Sequence, residues 1–395
     1  MPLEGVRVVD ASTILAGPLC CQILGDFGAE VIKVEHPVKG DGMRGHGGQR
    51  DGHPIWWSEI SRNKRMLGLD LHGADGASVL RDLAATADVV VENFRPGTLE
   101  RWGLGPEELR AANPDLILLR LTGFGQRGPY AHRPGFGTLA EAMSGFAHLT
   151  GSPDGPPTLP AFGLADSICG MAASSAVLMA LRHREVNGGA GQVIDMSILE
   201  PMMAAVGPGP SVYQQTGTVE QRHGNRSTNN APRNTYLTRD GHWVAVSSSA
   251  QNVAERVMTL VGRADLVEQD WFLSGRGRAD HVEEIDEAVA GWVGARDRVE
   301  VLAAFEEVSA AIAPVYSARD LVEDEHVRAT EMLVEVDDPD LGPVLQHNVL
   351  WRMSETPGQI RFPGRSLGAD TDEILASLGR TEEQIHQLRE KGVVR

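Results

Sequence analysis

The chain is poor in cysteine and aromatic residues, and it has no surplus of positive charge. Cys20, Cys21 and Cys169 are the only cysteines in 395 residues, too few for a disulfide framework and spaced for no zinc site. They read as small packed hydrophobes, with no metal assigned. Lys plus Arg total 36 against 54 Asp plus Glu, a formal charge of −18, which argues against nucleic acid or an anionic membrane as partner. No uninterrupted apolar run reaches about eighteen residues. The start, Met1-Pro2-Leu3-Glu4-Gly5, lacks the basic and then apolar build of a secretion signal. The expectation is a soluble cytoplasmic chain, long enough for two or three domains. Two phosphate-binding signatures are also missing: there is no P-loop, and the first βα turn, Ala11 to Pro18, has one glycine where a dinucleotide fingerprint needs three. Glu35 mimics a ribose-binding acid, but nicotinamide binding is not expected.

What is present is an alternation of strands and helices. Val6–Asp10 and Ala29–Glu35 read as strands around a helix over about Gly17–Phe27, and Asp88–Glu92 and Leu116–Leu121 as further strands, with a helix over Asp75–Thr86. This pattern predicts an α/β fold: a Rossmann-like, parallel-sheet large domain in residues 1–220. A long helix over Ser167–Glu185, a Gly188–Gln192 turn and a strand at Val193–Ser197 complete it. Residues 221–235, rich in Asn, Arg, His and Gly, read as a linker. A smaller α+β domain occupies 236–335, and residues 336–395 return to the large domain.

Asp166 stands out, a lone carboxylate in the small, apolar stretch Pro160 to Gly170. Burying it is costly without a partner or a task. Its plain reading is a helix N-cap, which would also keep its pKa low. Its functional reading is a nucleophile, and spacing alone favours the cap.

Several segments decide between them. They are Phe27–Glu35 with Gly40-Asp41 and Arg44; Arg62–Arg65 with Leu69-Asp70-Leu71; Asp88–Gly97; Gly123–Gln126 with Gly128-Pro129; and the Asp166 helix running to Gly188–Gln192. In this order they closely resemble the class III CoA-transferases, the family of formyl-CoA transferase and the carnitine and bile-acid CoA-transferases. The resemblance covers residues 1 to about 235 and, more weakly, Gly368–Leu375.

The resemblance implies that Asp166 is a nucleophile that attacks an acyl-CoA thioester, passing through a mixed anhydride and an aspartyl-CoA thioester before CoA reaches an incoming carboxylic acid. It implies no tightly bound cofactor, with coenzyme A a substrate, and an interlocked homodimer. Ala16, Gly17 and Pro18 would line the thiol end. Asn93, Phe94, Arg95 and Arg101 would hold phosphates and pantetheine, and Leu69 to His72 would bound the adenine. Solvated surface charge is the plain alternative for Arg95 and Arg101. His36 and His72 stand where relatives carry Arg or Lys. Arg133 and Gly137 fall in a segment that contributes CoA-binding and acid-orienting groups, and Gly137 replaces a glutamate of the formyl-CoA branch. Acids larger or more apolar than oxalate are therefore expected, near Met202, Met203 and Tyr213. The loop Ser247–Gln251 departs from a glycine-rich family loop. Two rival functions remain: an α-methylacyl-CoA racemase, for which His132 and His148 are the only nearby histidines, and a non-catalytic CoA-ester binder.

Overall fold

Strands rich in Val, Ile and Leu gather into one parallel sheet in the computed structural model, which describes residues 1–395. They are β1 (Arg7–Asp10), β2 (Glu30–Glu35), β3 (Lys64–Gly68), β4 (Val89–Glu92), β5 (Ile117–Thr122) and β6 (Val193–Ser197), arranged β3-β2-β1-β4-β5-β6. Such a sheet hides both faces. On one face Val9, Val90 and Leu118 meet Leu80 and Leu83 of a helix. On the other Val8, Val91 and Leu119 meet Cys20, Cys169 and Val177, so the cysteines are buried core.

The helices concerned are α1 (Ala16–Asp26), α2 (Ala74–Thr86), α3 (Gly137–Met143), α4 (Leu164–Asn187) and α5 (Leu199–Val206). α2 covers the first face; α1 and α4 cover the second, with Ala140 of α3 and Met202 of α5 in the same cluster. Met202 is thus ordinary core, not a wall for substrate. α4 is the one helix long and apolar enough to cross a membrane by length and composition, with mean hydropathy 1.6 over its best window. Its inner residues Ala165, Cys169, Ala173, Val177 and Leu181 are core, while Met171, Leu178, Met179 and Val186 are exposed.

The chain divides into two units. The first holds 1–146, 159–211 and 330–395; the second holds 147–158 and 212–329. Within the first, the C-terminal segment supplies a hairpin (Leu333–Asp338 with Gly342–His347) and two helices whose Ile374, Leu375 and Ile385 join Leu67 in the core. In the second, β7 (Arg233–Leu237), β8 (Trp243–Ser247) and β9 (Ile312–Pro314) form an antiparallel sheet. It packs with α6 (Gln251–Leu260), α7 (Val282–Gly294) and α8 (Arg298–Glu307) around Val244, Val257, Val289 and Phe305. The stretch read as a linker is tied into this unit: Arg226, Asn234 and Tyr236 all donate to Asp286 of α7 at 2.6–2.8 Å.

Strand β3 escapes a hydrophobic reading because it opens Lys64-Arg65. Lys64 is nevertheless fully buried. Its ammonium lies 3.0 Å from Asp10 Oδ2 and donates to the Pro18 carbonyl at 2.7 Å. Lys33, equally buried, lies 2.8 Å from Asp41 Oδ2 and 3.7 Å from Asp10 Oδ1, and donates to the Ser12 carbonyl. Burial raises the Asp10 carboxyl, but Lys33 and Lys64 outweigh it and hold the group below its usual range. The cluster therefore stabilises the fold at neutral pH, and that contribution is lost as pH falls through the carboxylate range. Asp10→Asn, which leaves Lys64 without its counter-charge, should cost about 3–5 kcal/mol in urea unfolding. The exposed control Glu306→Gln should stay within about 0.5 kcal/mol.

Candidate active site

In a sheet of this order, β1 and β4 are adjacent while their following connections diverge, which opens a crevice at their C-terminal ends. Here the β1–α1 loop and the chain after β4 are stitched across it. Ala11 N–H donates to the Val91 carbonyl at 2.9 Å. Thr13 N–H donates to Asn93 Oδ1 at 2.9 Å, and Asn93 Nδ2 returns to the Thr13 carbonyl at 2.8 Å. Asn93 is therefore engaged in fixing backbone. The next residue, Ile14, has φ 69°, a left-handed conformation that a β-branched side chain adopts only at a cost of about 1–3 kcal/mol. Asp41 Oδ1 holds it there by accepting the Ile14 N–H at 3.0 Å. The strained loop delivers Leu15, Ala16, Gly17 and Pro18, all buried, to the start of α1. That helix has no side-chain cap, so its first amides lack helical acceptors.

Asp166 sits against this start. It is not an N-cap: α4 begins three residues before the predicted boundary, its N-cap is Gly163, and Asp166 is the third helical residue. Three glycines let the backbone close in. A Cβ on Gly137 would lie 2.2 Å from Asp166 Oδ2, one on Gly163 2.8 Å from Leu15 Cδ2, and one on Gly170 2.7 Å from the Ala16 carbonyl. The starts of α1, α3 and α4 thus converge on one carboxylate. The helix terminus does not keep its pKa low, as the cap reading expected. Burial, then the neighbouring Glu141 carboxylate, push it up to about 6, against a hydrogen bond from the Gly137 N–H. No basic side chain pairs with it, so Asp166 is an anion with its reactivity unspent. Glu141 was not foreseen; the available signal was a lone acid in the small-residue run Thr138 to Gly145.

A second cluster forms a slot of about 100 Å³ lined by Thr13, His36, Leu69, His72, Phe94 and Trp102 among others. Trp102 ties its rings together, with centroids 4.8 Å from His72 and 5.1 Å from Phe94. Trp102 was absent from the sequence reading. His72 Nδ1 is 2.7 Å from Asp70 Oδ1. His36 Nδ1 accepts the Val38 and Lys39 N–H groups at 3.2 Å, which leaves Nε2 as the donor of the neutral ring. Thr13 in this slot is two residues from Leu15 beside Asp166, so one loop serves both clusters. Arg95 and Arg101 are exposed and pair with no carboxylate; Arg101 donates to Thr98 Oγ1 at 2.9 Å. Arg133 is exposed and stacked over Tyr130 at 3.8 Å. In the second unit, Ser248 is buried with its N–H on the Pro232 carbonyl, and Gln251 accepts from the buried Arg278, so the Ser247–Gln251 loop is anchored at both ends.

A doubly wound sheet with an unpaired carboxylate and a ring-lined slot at its C-terminal edge has the form of an α/β group-transfer enzyme. Residues 3–371 match the model of CoA-transferase family III. The chain belongs to this family and is a class III CoA-transferase. It is 40% identical to the succinyl-CoA–D-citramalate CoA-transferase of Chloroflexus aurantiacus, over 100% of this chain and 98% of that one. It is 33% identical to the succinate–glutarate CoA-transferase of Agrobacterium fabrum, over 96% of each. Its fold superposes on the crystal structure of a CaiB/BaiF family protein from Brucella suis with a TM-score of 0.84 and 30% identity, over 96% of this chain and 99% of that one.

Gly137 offers a direct check on the site. In Gly137→Ala the new methyl displaces the Asp166 carboxylate. Misplacement of a reacting group by an ångström costs about a hundredfold in rate, so kcat should fall by about that factor with a melting transition still present.

Proposed function

We propose that Asp166 is the covalent nucleophile of CoA transfer. Its carboxylate oxygen bonds to the acyl carbon of the thioester, the C–S bond breaks, and the electron pair leaves on the CoA sulfur. The thiolate then attacks the aspartyl carbonyl of the mixed anhydride, which releases the first acid as a carboxylate and leaves an aspartyl-CoA thioester. An incoming carboxylate reverses both steps, and no proton changes hands. The observation that carries this reading is the carboxylate itself, part-buried, cation-free and approached by glycine. With a pKa of about 6 it is ionised about tenfold over its acid form one unit higher. The capless start of α1 beside it supports stabilisation of the oxyanions, each such donor contributing about 3 kcal/mol. The slot about His36, Leu69, His72, Phe94 and Trp102 would take the adenine end of CoA, and the unpaired Arg95, Arg101 and Arg133 its phosphates.

For substrates, we infer succinyl-CoA as donor and a four- or five-carbon dicarboxylic acid as acceptor, from the names of the relatives at 33–42% identity. This keeps the expectation of an acid larger than oxalate and sets aside the apolar one. The racemase reading lacks the histidine of its His and Asp pair. The position of Gly137 has no room for a side chain, His132 is exposed, and His148 lies in the second unit, where Nε2 is 3.1 Å from the Glu220 carbonyl.

Incubation with succinyl-CoA, hydroxylamine quenching and peptide mass spectrometry should locate the adduct on Asp166. An adduct elsewhere, or transfer retained by Asp166→Asn, would refute the assignment. The raised carboxyl also sets two signs. Activity should fall as pH drops through about 6, because the nucleophile protonates. Since the ionised form is the one that burial disfavours, stability should fall as pH rises through the same range. Asp166→Asn should then melt higher than the parent at pH 8, by the equivalent of about 2–3 kcal/mol.

We further propose that the exposed apolar face of α4 is covered by a second copy of the chain in a homodimer. Met179 is 72% exposed on that helix, beside Met171, Leu178 and Val186. A helix apolar all round needs cover on all sides. Sedimentation at nanomolar dilution should show no native monomer, and Met179→Glu should produce monomer or aggregate. A monomer with native spectra and parent stability would count against the dimer.

A further inference from the structure

We propose that Glu141 is a positioning residue, the non-local cap of α4 whose negative charge drives Asp166 toward its covalent states. The inference rests on Asp166 being the nucleophile. Its geometry is independent of that reading. α4 starts at Gly163 with no side-chain cap, so its early amides need acceptors from elsewhere. Glu141 Oε1 accepts one of them, the Ala165 N–H, at 3.1 Å. Glu141 is 2% exposed, and no lysine, arginine or histidine pairs with it.

A cap alone does not call for this residue. A glutamine at 141 would satisfy the same amide without burying an unpaired carboxylate. What an ionised glutamate adds is repulsion toward Asp166. Both influences on Asp166 come from α3: its first residue donates a backbone N–H to Asp166, and one turn later it presents the opposing charge. The other ionisable groups around Asp166 are Cys169 on α4, with Cys20 on α1 and Glu200 on α5 behind it. Burial pushes the Cys169 thiol up to about 12, and Glu200 is occupied by the Ser197 hydroxyl at 2.9 Å. Glu141 is the carboxylate that bears on Asp166.

The consequence follows from charge balance. Before attack Asp166 carries its negative charge beside the Glu141 carboxylate. In the mixed anhydride and in the aspartyl-CoA thioester, Asp166 is neutral, because its electron pair forms the new bond and the negative charge has left on sulfur or on the departing acid. Repulsion by Glu141 is therefore present before attack and relieved after it. It raises the populations of both covalent states equally, and it leaves the overall equilibrium between the two acyl-CoA species untouched.

The test compares Glu141→Gln with the parent, since the amide oxygen can still accept the Ala165 N–H while the charge is gone. Two quantities are read: the acid limb of kcat/KM, and the fraction of enzyme trapped as the CoA adduct at saturating succinyl-CoA. The limb should move down by about one pH unit and the trapped fraction fall by up to about tenfold, one unit being a factor of ten in the equilibrium. An unchanged limb and unchanged adduct fraction in a folded variant would reduce Glu141 to a cap and overturn the proposal. Should Glu141→Gln not fold, Glu141→Asp, which keeps the charge one methylene further back, should give intermediate shifts; no shift overturns the proposal likewise. Failure of the nucleophile reading is seen separately, as absence of any Asp166 adduct in the parent enzyme.

Discussion

The site depends on a group of charges that takes no part in its chemistry. Asp10, Lys33, Asp41 and Lys64 are buried beneath the C-terminal edge of the sheet, where each ion costs several kcal/mol to desolvate unless its partners are in place. Because Lys33 reaches the Ser12 carbonyl and Lys64 the Pro18 carbonyl, satisfying those cations also fixes both ends of the loop between β1 and α1. Asp41 closes the arrangement by taking the Ile14 N–H. The strain of a left-handed isoleucine is therefore borne by an ionic cluster that cannot relax without exposing a charge. Leu15 and Ala16 are then held where Gly163 and Gly170 of α4 come to meet them.

On that frame, the environment of Asp166 is built by omission. Most buried carboxylates in this chain have a cation: Asp26 has Arg62, Glu92 has Arg120, Glu35 has Arg44. Asp166 has instead one backbone N–H, two glycines and another carboxylate. On the proposed mechanism, a guanidinium at this position would stabilise the ionised acid and lower its reactivity, since tight binding of the ground state does not accelerate a reaction. The same logic explains why the thiol of Cys169, one turn along, is no rival: burial keeps it protonated.

The parallel sheet was legible in the sequence because strands buried on both faces read as continuous apolar runs, and four of them lie in the first 122 residues. Strand β3 was not, because its first residues are Lys64 and Arg65, and a buried lysine looks like a surface one until its aspartate is placed beside it. Asp166 was legible as an oddity and gained a role only through resemblance. Among its neighbours, Ala16 and Gly137 were named through the same resemblance, whereas Glu141 was not legible, since it reaches Asp166 only through the packing of two helix starts. The helix boundary mattered most. Reading α4 as starting at Ser167 made Asp166 a cap and predicted a lowered pKa; a start at Leu164 gives the cap position to Gly163 and hands the capping to Glu141, while burial and the Glu141 charge raise the carboxyl instead.

The strand order β3-β2-β1-β4-β5-β6 is one that commonly receives a dinucleotide pyrophosphate on the first helix, through a glycine-rich turn that lets the backbone approach the phosphates. In this chain the turn is instead filled with side chains that have work elsewhere: Ser12 on Asp10, Thr13 on Asn93, Ile14 over Gly42, Leu15 against Met43 and Trp57. A phosphate cannot come close to such a turn, whereas the acyl thioester of the proposed mechanism need only present its carbonyl to the amides at the helix start. The departure from the dinucleotide fingerprint is therefore a change of what the helix terminus faces. On the proposed mechanism, the same positive end of α1 that would hold a ground-state anion is left for the negative charge that develops during transfer.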